Sequence, residues 1–328
     1  METTKQGPYA QILSFRSFIF GIILAVFVYL LIMLLSDWGE LIKNLISVNP
    51  AVILLAILLS LTNYFCRFFK WILFTRSLEL EIPLKDNLLI FFAGLSLSIT
   101  PAKVGEAIRA FFLRKTSSVE LSKGLASTFS ERLIDLLAVT LLALLGVMVL
   151  GYQQSIDYLP VLIIILLGIL LGVLVLLFDS LYNLVSWIFH LQPWADIGMK
   201  IDKFRSDVVV TFNLNVFLGA LALGTIGWAC EGLGFYLLAQ NLGIQITFEA
   251  SIFIYATSSL LGAISFLPGG LGVMEGSMEV FLVNLLVISL STAGALVILI
   301  RMTTLWFGVT LGLVFLIIIT KRLRESVP

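Results

Sequence analysis

The chain has 328 residues, of which 60% are hydrophobic and only 12% are charged, and its formal net charge is zero. A soluble domain carries roughly 25% charged residues, so this composition, with a mean hydropathy of +1.10, excludes an ordinary soluble protein. The balanced charge argues against a nucleic-acid partner. One histidine and two cysteines provide neither a metal cluster nor a disulfide framework, so we expect no metal and no cofactor.

Six apolar runs reach the ~20 residues that a helix needs to cross a bilayer, which predicts an all-α polytopic membrane protein. The first run follows Lys5 and Arg16 and has no small-residue cleavage site, so we interpret it as a retained span rather than a signal peptide. In chain order the predicted full spans are 17–35, 51–74, 128–150, 158–178, 216–240 and 293–320.

Two further apolar stretches, 87–113 and 250–289, are each interrupted near the middle by a proline, Pro101 in the first and Pro268 in the second. Proline removes a backbone donor and breaks a helix. The loops on both sides of the first stretch are basic, and basic loops collect on the cytoplasmic side. The first stretch is therefore predicted to be a re-entrant hairpin that enters from the cytoplasm. The second is either a hairpin that dips from outside or two full spans.

The same charge pattern predicts the orientation of the whole chain. The N-terminus, the tail and the loop at 200–205 are basic, whereas the connections 151–157 and 241–249 contain no lysine or arginine. Both termini are therefore expected in the cytoplasm. The connection 179–215 is expected to be a cytoplasmic, interfacial amphipathic segment, which either contacts anionic lipid head groups or serves as a simple anchor.

An internal repeat accompanies these segments. The hydrophobic pattern of 78–87 recurs at 242–251, and the same offset places Arg67 on Glu231. The two halves are predicted to have opposite orientations, so the repeat is an inverted-topology repeat. In secondary transporters such repeats place the substrate near the midplane, between broken helices.

The predicted organisation is a single transmembrane domain with two related halves. The domain covers 1–328, the first inverted repeat covers 51–150 and the second covers 216–320. With the two hairpins, the architecture is six full spans plus two broken re-entrant helical hairpins.

Ionisable residues inside apolar segments are costly and normally face protein or a wet cavity. Glu106 and Arg109 are three residues apart and share a helix face, and Glu131 and Asp135 share another. Lys70 is expected to snorkel toward the cytoplasmic surface. Glu279 is expected to lie near the outer surface of the membrane rather than at the site.

Each proline break is followed by a new half-helix, whose first N–H groups are free and favour an anion such as phosphate. Arginines near both breaks would add charge for an anionic head group, and the acidic residues would balance them or carry protons. The alternative is an ion-pair network that only locks the helices together. The predicted substrate-binding residues are Arg67, Pro101, Gly105, Glu106, Arg109, Glu131, Arg132, Asp135, Glu231, Gly269, Gly270, Gly272, Glu275 and Arg301.

Four motifs together resemble the flippase-like transmembrane family, the membrane region of lysylphosphatidylglycerol synthases (the multiple peptide resistance factor). They are Pro101-x-x-x-Gly105-Glu106-x-x-Arg109, Glu131-Arg132-x-x-Asp135, Pro268-Gly269-Gly270-x-Gly272-x-x-Glu275 and the late Arg301. The resemblance covers about 15–320 and is that of a stand-alone member without the aminoacyl-transferase domain. It implies movement of a phospholipid or polyprenyl-linked lipid between leaflets in a prokaryotic cytoplasmic membrane.

The leading hypothesis is therefore a lipid flippase or transporter that is not an enzyme and that is coupled to protons or another ion. A rival hypothesis is a membrane-embedded enzyme that acts on lipid head groups, with Glu131 and Asp135 as acid and base. A third is a non-catalytic partner subunit of a glycosyltransferase or synthase. No Gly-x-x-x-x-Gly-Lys-Ser/Thr loop is present, which argues against ATP hydrolysis.

Overall fold

The computed structural model describes residues 8–100, 105–150, 157–187 and 195–325, and the regular elements in these ranges are helical. The first seven helices are α1 (Pro8–Leu35), α2 (Trp38–Ser47), α3 (Pro50–Ser77), α4 (Leu84–Leu95), α5 (Ile108–Ser117), α6 (Leu121–Leu150) and α7 (Leu159–Leu177). The remaining seven are α8 (Asp179–Ser186), α9 (Ala195–Thr211), α10 (Leu214–Asn241), α11 (Phe248–Ile264), α12 (Val273–Leu286), α13 (Leu290–Arg301) and α14 (Phe307–Glu325).

Six helical segments in the described ranges are long and apolar enough to cross a membrane, and each coincides with one of the predicted spans. They are Arg16–Leu35, Pro50–Ser77, Leu121–Val149, Leu159–Leu177, Leu214–Asn241 and Leu290–Leu323. The prediction of an all-α, multi-pass membrane protein is therefore confirmed.

Two spans, α3 and α10, start in the same way. The side chain of Asn49 accepts a hydrogen bond from the N–H of Ala51, and that of Asn213 accepts one from the N–H of Asn215. Asparagine is a favoured N-cap because its side chain satisfies a backbone donor that the helix leaves free. Both helices therefore begin where the sequence places a cap, after a polar connection.

Both proline breaks separate two helices. In the first, α4 ends at Leu95, a series of tight turns leads to Thr100, and α5 begins at Ile108. Pro101, a predicted site residue, lies outside the described residues. The depth of this segment in the bilayer, and thus the re-entrant hairpin, stays a prediction.

The second break, between α11 and α12, contains a 3₁₀ turn over Pro268–Gly270. Gly269, Gly270 and Gly272 have φ angles of 59°, 69° and 87°. Side chains with a Cβ rarely adopt such angles, so this break depends on its glycines. Phe266 also has a positive φ, 56°, and its side chain is exposed.

The main contacts join one half of the chain to the other. Helix α3 packs along α10, α4 packs against α14, and α6 packs against α11. At the α3–α10 crossing, the side-chain amide of buried Asn63 donates to the carbonyl of Gly227 over 3.0 Å. The core therefore lies between the halves rather than within each of them.

The two Gly-x-x-x-Gly motifs have different surroundings. A methyl group at Gly312 would clash with the backbone of Ser96, and one at Gly308 would lie 2.5 Å from the hydroxyl of Tyr64. No described atom lies within 4 Å of a methyl group placed at Gly168 or Gly172. The motif in α14 thus serves close packing inside the protein, and the motif in α7 does not.

The connection 179–215 contributes two helices, α8 and α9, and α9 packs against α6. The hydroxyls of Ser130 and Thr211 are 2.7 Å apart, and the rings of Phe129 and Phe204 meet edge to face at 5.5 Å. His190 and Trp194 lie outside the described residues. The predicted interfacial position of this connection stays a prediction.

Candidate functional site

A cavity of about 360 Å³ lies between the two halves of the chain. Its wall is formed by α3, α4, α6, α10 and α11, by the second break, and by the segment from Arg301 to Gly308. Most of the wall is apolar, and its charged members come from both halves. They are Arg67, Arg132, Asp135, Glu231 and Arg301.

Glu131 is the centre of the charges contributed by the first half. It lies on α6 with no exposed surface. Its Oε1 accepts hydrogen bonds from Arg67 Nε at 3.2 Å and from Arg132 Nη2 at 2.7 Å, and its Oε2 accepts one from Arg109 Nη1 at 2.6 Å. One carboxylate therefore holds three guanidinium groups from α3, α5 and α6 together.

Arg109 lies behind this carboxylate and does not border the cavity. Its Nη2 donates to Glu106 Oε2 at 2.6 Å, and its guanidinium carbon lies 4.9 Å from the ring of Trp71 and 5.1 Å from that of Phe91. Such contacts stabilise a cation. A methyl group at Gly94 would lie 2.7 Å from the Arg109 side chain. The close packing on all sides fixes the position of Arg109.

Lys70 does not snorkel, so that prediction is wrong. Its side chain has no exposed surface, and its ammonium donates to Asp135 Oδ1, which also accepts a bond of 3.1 Å from Trp228 Nε1. The reason is geometric: Arg67 and Lys70 are one turn apart on α3, and Glu131 and Asp135 are one turn apart on α6. Two facing pairs at this spacing can form two contacts, once the packing has placed α3 opposite α6.

Three buried polar atoms in this group have no hydrogen-bond partner. They are Nη2 of Arg67, Nε of Arg132 and Oδ2 of Asp135, and all three side chains line the cavity. Buried polar atoms in folded proteins are nearly always hydrogen-bonded. Two of the three atoms still have an ion-pair contact, since Arg67 Nη2 lies 3.6 Å from Glu106 Oε2 and Asp135 Oδ2 lies 3.4 Å from Arg132 Nη1.

The second half contributes fewer charges, and Arg301 is their centre. Its Nε forms an ion pair with Glu275 Oε1 at 2.6 Å, its Nη2 donates to the carbonyl of Gly269 at 2.7 Å, and its Nη1 lies 3.0 Å from the sulfur of Met274. Glu275 Oε2 accepts from the N–H of Gly272 at 2.7 Å, which caps α12. Arg301 thus connects the second break to α12.

Glu231 and a π-helical turn complete the wall. Glu231 Oε2 accepts a hydrogen bond of 2.6 Å from the hydroxyl of Tyr255. The residues that follow Arg301, Met302–Trp306, form a π-helical turn, of which Thr304 and Leu305 line the cavity. Single π-turns are frequent at functional sites. The sequence contains no pattern that would have located this one.

The predicted site residues fall into two groups. Arg67, Arg132, Asp135, Glu231, Gly269, Gly270 and Arg301 border the cavity. Glu106, Arg109, Glu131 and Glu275 lie behind it and hold these residues, and Gly272 caps α12. Gly105 donates its N–H to Thr100 Oγ1 at 2.8 Å and has a structural contact there.

The helix starts differ from the sequence interpretation at one point. The predicted spans begin at 128 and 293, but α6 begins at Leu121 and α13 at Leu290, so Arg132 and Arg301 each lie eleven residues inside a helical segment. The charges therefore sit well within the packed structure.

The chain is similar in sequence to known proteins over most of its length. The family model described as the lysylphosphatidylglycerol synthase TM region matches residues 20–312. A UPF0104 membrane protein of Methanocaldococcus jannaschii is 29% identical over 70% of this chain and 96% of its own length. A second protein of that name from Methanothermobacter thermautotrophicus is 27% identical, over 87% of this chain and 90% of its own length. Another from Methanocaldococcus jannaschii is 25% identical over 97% of both chains.

Proposed function

Because the chain belongs to the family of the lysylphosphatidylglycerol synthase transmembrane region, we propose that it moves an anionic lipid between the leaflets of a prokaryotic cytoplasmic membrane. The lipid is a phospholipid or a polyprenyl-linked lipid. The observation that carries the proposal is the cavity between the halves, which is lined by Arg67 and Arg132 from the first half and by Arg301 from the second.

The shape of the cavity supports a lipid rather than a small soluble anion. Phe129, Phe266 and Leu267 line it, and their side chains are also exposed at the surface. The apolar edge of the cavity is therefore continuous with the surface that faces the acyl chains. A head group would bind to the arginines while its chains stay in the bilayer, so the hydrocarbon is never exposed to water.

An inverted repeat is part of the proposal, since movement between leaflets needs a site that two halves can open in turn. The Asn63–Gly227 bond joins residues 164 apart, which is also the offset between Leu78 and Leu242. The caps Asn49 and Asn213 have the same separation. A residue contacts its own counterpart only near a two-fold axis, so these facts support an axis through the α3–α10 crossing.

The roles of the charged residues follow from their positions. Arg67 and Arg132 would bind the phosphate, because a guanidinium bonds a phosphate through two donors. Arg109 would act as a positioning residue, since Glu131 and Glu106 hold it behind the wall. Arg301 would receive the head group from the side of the second half, where its contact with the sulfur of Met274 is one that a phosphate oxygen would improve.

Catalysis is not part of the proposal. In the enzyme hypothesis Glu131 is an acid or base, but all its described contacts are with arginines and it does not line the cavity. A carboxylate held by three cations is a poor proton carrier.

The test is reconstitution of the full chain in liposomes that contain labelled anionic phospholipid or polyprenyl phosphate. We expect faster leaflet exchange than in protein-free liposomes. Arg132→Ala should slow exchange by roughly 10- to 100-fold, the cost of losing a hydrogen bond to a charged group, and Arg132→Lys should slow it less. Arg114→Ala, which changes an exposed arginine at the end of α5, is the control. No exchange of either lipid would overturn the proposal, and co-purification with a synthase would then favour the partner-subunit hypothesis.

Orientation needs a separate test. With both termini in the cytoplasm, the connection between α5 and α6 should be cytoplasmic. We expect that Ser118→Cys is not labelled by an impermeant thiol reagent added to intact cells and becomes labelled after lysis. Labelling from outside would contradict the re-entrant prediction for 87–113.

A further inference from the structure

One buried carboxylate has no role in the site described above. Glu279 lies on α12, one turn beyond Glu275, and its side chain is half-buried. Its Oε1 is buried and has no hydrogen-bond partner, and none of the described cations forms an ion pair with it. The expected position of this residue near the outer surface stays a prediction, and the structure shows its side chain partly enclosed by protein.

A second unpartnered polar group points at the same place. Ser36, at the end of α1, is 8% exposed, and its Oγ has no hydrogen-bond partner. A methyl group placed on Gly294 of α13 would lie 3.4 Å from Glu279 Oε1 and 3.4 Å from Ser36 Oγ. The carboxylate and the hydroxyl thus face the same small space between α1, α12 and α13.

The charges on α12 and α13 favour a proton on Glu279. On its own helix, Glu279 faces Glu275, and like charges four residues apart destabilise a helix. On α13 the nearest cation, Arg301, is already paired with Glu275 at 2.6 Å. The backbone N–H of Asp37 donates to Ser291 Oγ, and the Glu40 carboxylate accepts hydrogen bonds from Ser289 and Thr292, so the start of α2 is attached to the α13 region.

We propose that Glu279 takes up a proton from the outer face and that this proton couples the movement of lipid to the proton gradient. The proposal rests on the proposed function for its second part only. A proton fits the space better than a metal cation, since the described residues provide two unpartnered oxygens and a hard cation needs about six. Protonated, Glu279 no longer repels the carboxylate of Glu275.

The charge on Glu279 can affect the substrate cavity through its neighbours on α12. When Glu279 is neutral, Glu275 is relieved of a like charge and holds Arg301 and the N–H of Gly272. When Glu279 is ionised, repulsion between the two carboxylates weakens this contact. Arg301 also holds the carbonyl of Gly269, so the charge on Glu279 biases the second break and the wall that Arg301 forms.

The first experiment measures the proton without any transport. Infrared difference spectra of the purified full chain, recorded as the pH falls from 9 to 4, should show a protonated carboxyl band that is absent from Glu279→Gln. The matched control is Glu249→Gln, which removes an acidic residue in the first turn of α11 and should retain the band. A band that persists unchanged in Glu279→Gln, or that is absent from the unsubstituted chain, overturns the protonation site.

The second experiment measures coupling in the liposomes used above. An acidic outer medium should change the rate of leaflet exchange at least 5-fold in the unsubstituted chain and in Glu249→Gln, and less than 2-fold in Glu279→Gln. Equal gradient dependence in Glu279→Gln, or dependence on a sodium gradient instead, overturns the coupling. If no lipid moves at any pH, the proposed function fails, and the infrared result still decides whether Glu279 binds the proton.

Discussion

The two halves of the chain place charge in the same cavity by different means. In the first half, four cations and three carboxylates form one network around Glu131, with α3, α5 and α6 tied together by ion pairs. In the second half, Arg301 has one carboxylate, one backbone carbonyl and one thioether as partners. The first network is rigid because each member except Lys70 has two or more ion-pair partners, whereas the contacts of Arg301 are few and one of them is weak.

This difference indicates which half moves. A thioether is a weak acceptor, and the second break contains three glycines with positive φ besides Phe266, so a small change in free energy can rearrange it. The first network would have to separate several buried ion pairs, each of which is costly to break. We therefore expect the first half to be the fixed wall of the cavity and the second half to be the part that rearranges.

The largest expected effect is the loss of the centre of the first network. Glu131→Gln leaves three arginines, of which Arg67 and Arg109 are buried, without their shared carboxylate, and it should lower the free energy of unfolding by about 3–5 kcal/mol. Glu275→Gln removes a single ion-pair partner and should cost clearly less. Thermal unfolding of both variants in detergent makes the comparison. Equal losses would mean that the two halves are held equally tightly.

A second substitution tests whether Arg109 stabilises the wall or binds the substrate. Arg109→Ala should destabilise the fold by about 3 kcal/mol, since Glu106 and Glu131 each lose a partner. Arg109→Ala combined with Glu106→Ala should recover part of that loss, and Arg109→Lys should be milder than either.

The readout is the unfolding midpoint together with the rate of lipid exchange. A positioning role requires the two to fall together. Exchange that is abolished at unchanged stability would instead make Arg109 a direct ligand of the head group.

Packing around the network provides a smaller test. Gly94→Ala brings a methyl group to 2.7 Å from the side chain of Arg109, and overpacking of this kind costs about 1–3 kcal/mol. Gly168→Ala is the matched control, since its methyl group meets no described atom. The difference in unfolding midpoint between these two variants measures how tightly the first network is enclosed. A tolerated Gly94→Ala would contradict the rigid wall.

The smallest effect is expected at the surface, where α9 meets α6. A hydrogen bond from Lys203, 2.6 Å away, lowers the pKa of exposed Glu120 below 4.5, and the same contact raises the pKa of Lys203 above 10.5. Because the pKa of Glu120 is lowered, the contact stabilises the folded form above pH 4.5. This stabilisation is lost as the pH falls through the lowered pKa. A raised pKa stabilises the folded form below 10.5 and is lost as the pH rises.

The contact should therefore hold α9 between about pH 4.5 and 10.5, and more weakly at high salt. A spin label at Val210→Cys should become slightly more mobile below that range, and Glu120→Gln should remove the change on the acidic side. A large change would mean that α9 is attached mainly by this ion pair rather than by its apolar contacts with α6.

Sequence alone determined the class of the protein, its six spans and its family motifs. Hydrophobic runs of bilayer length leave little choice of structure, because every backbone group in hydrocarbon must be bonded within its own segment. The sequence also identified the charged site candidates, since an ionisable group inside an apolar run is costly and therefore stands out as a candidate for function. Spacing on one helix then paired Glu106 with Arg109 correctly.

Tertiary structure alone decided which of these charges reach the cavity. Spacing along a helix says which residues share a face, but not which helix lies opposite, so the pairing of Lys70 with Asp135 and the position of Arg109 behind Glu131 were open. For the same reason the sequence could not show the surroundings of Glu279. Its unpartnered oxygen lies in a space shared with Ser36 and Gly294, two residues outside α12. Which arginines have free donors is a property of the packed halves, because only packing determines which donors are already used.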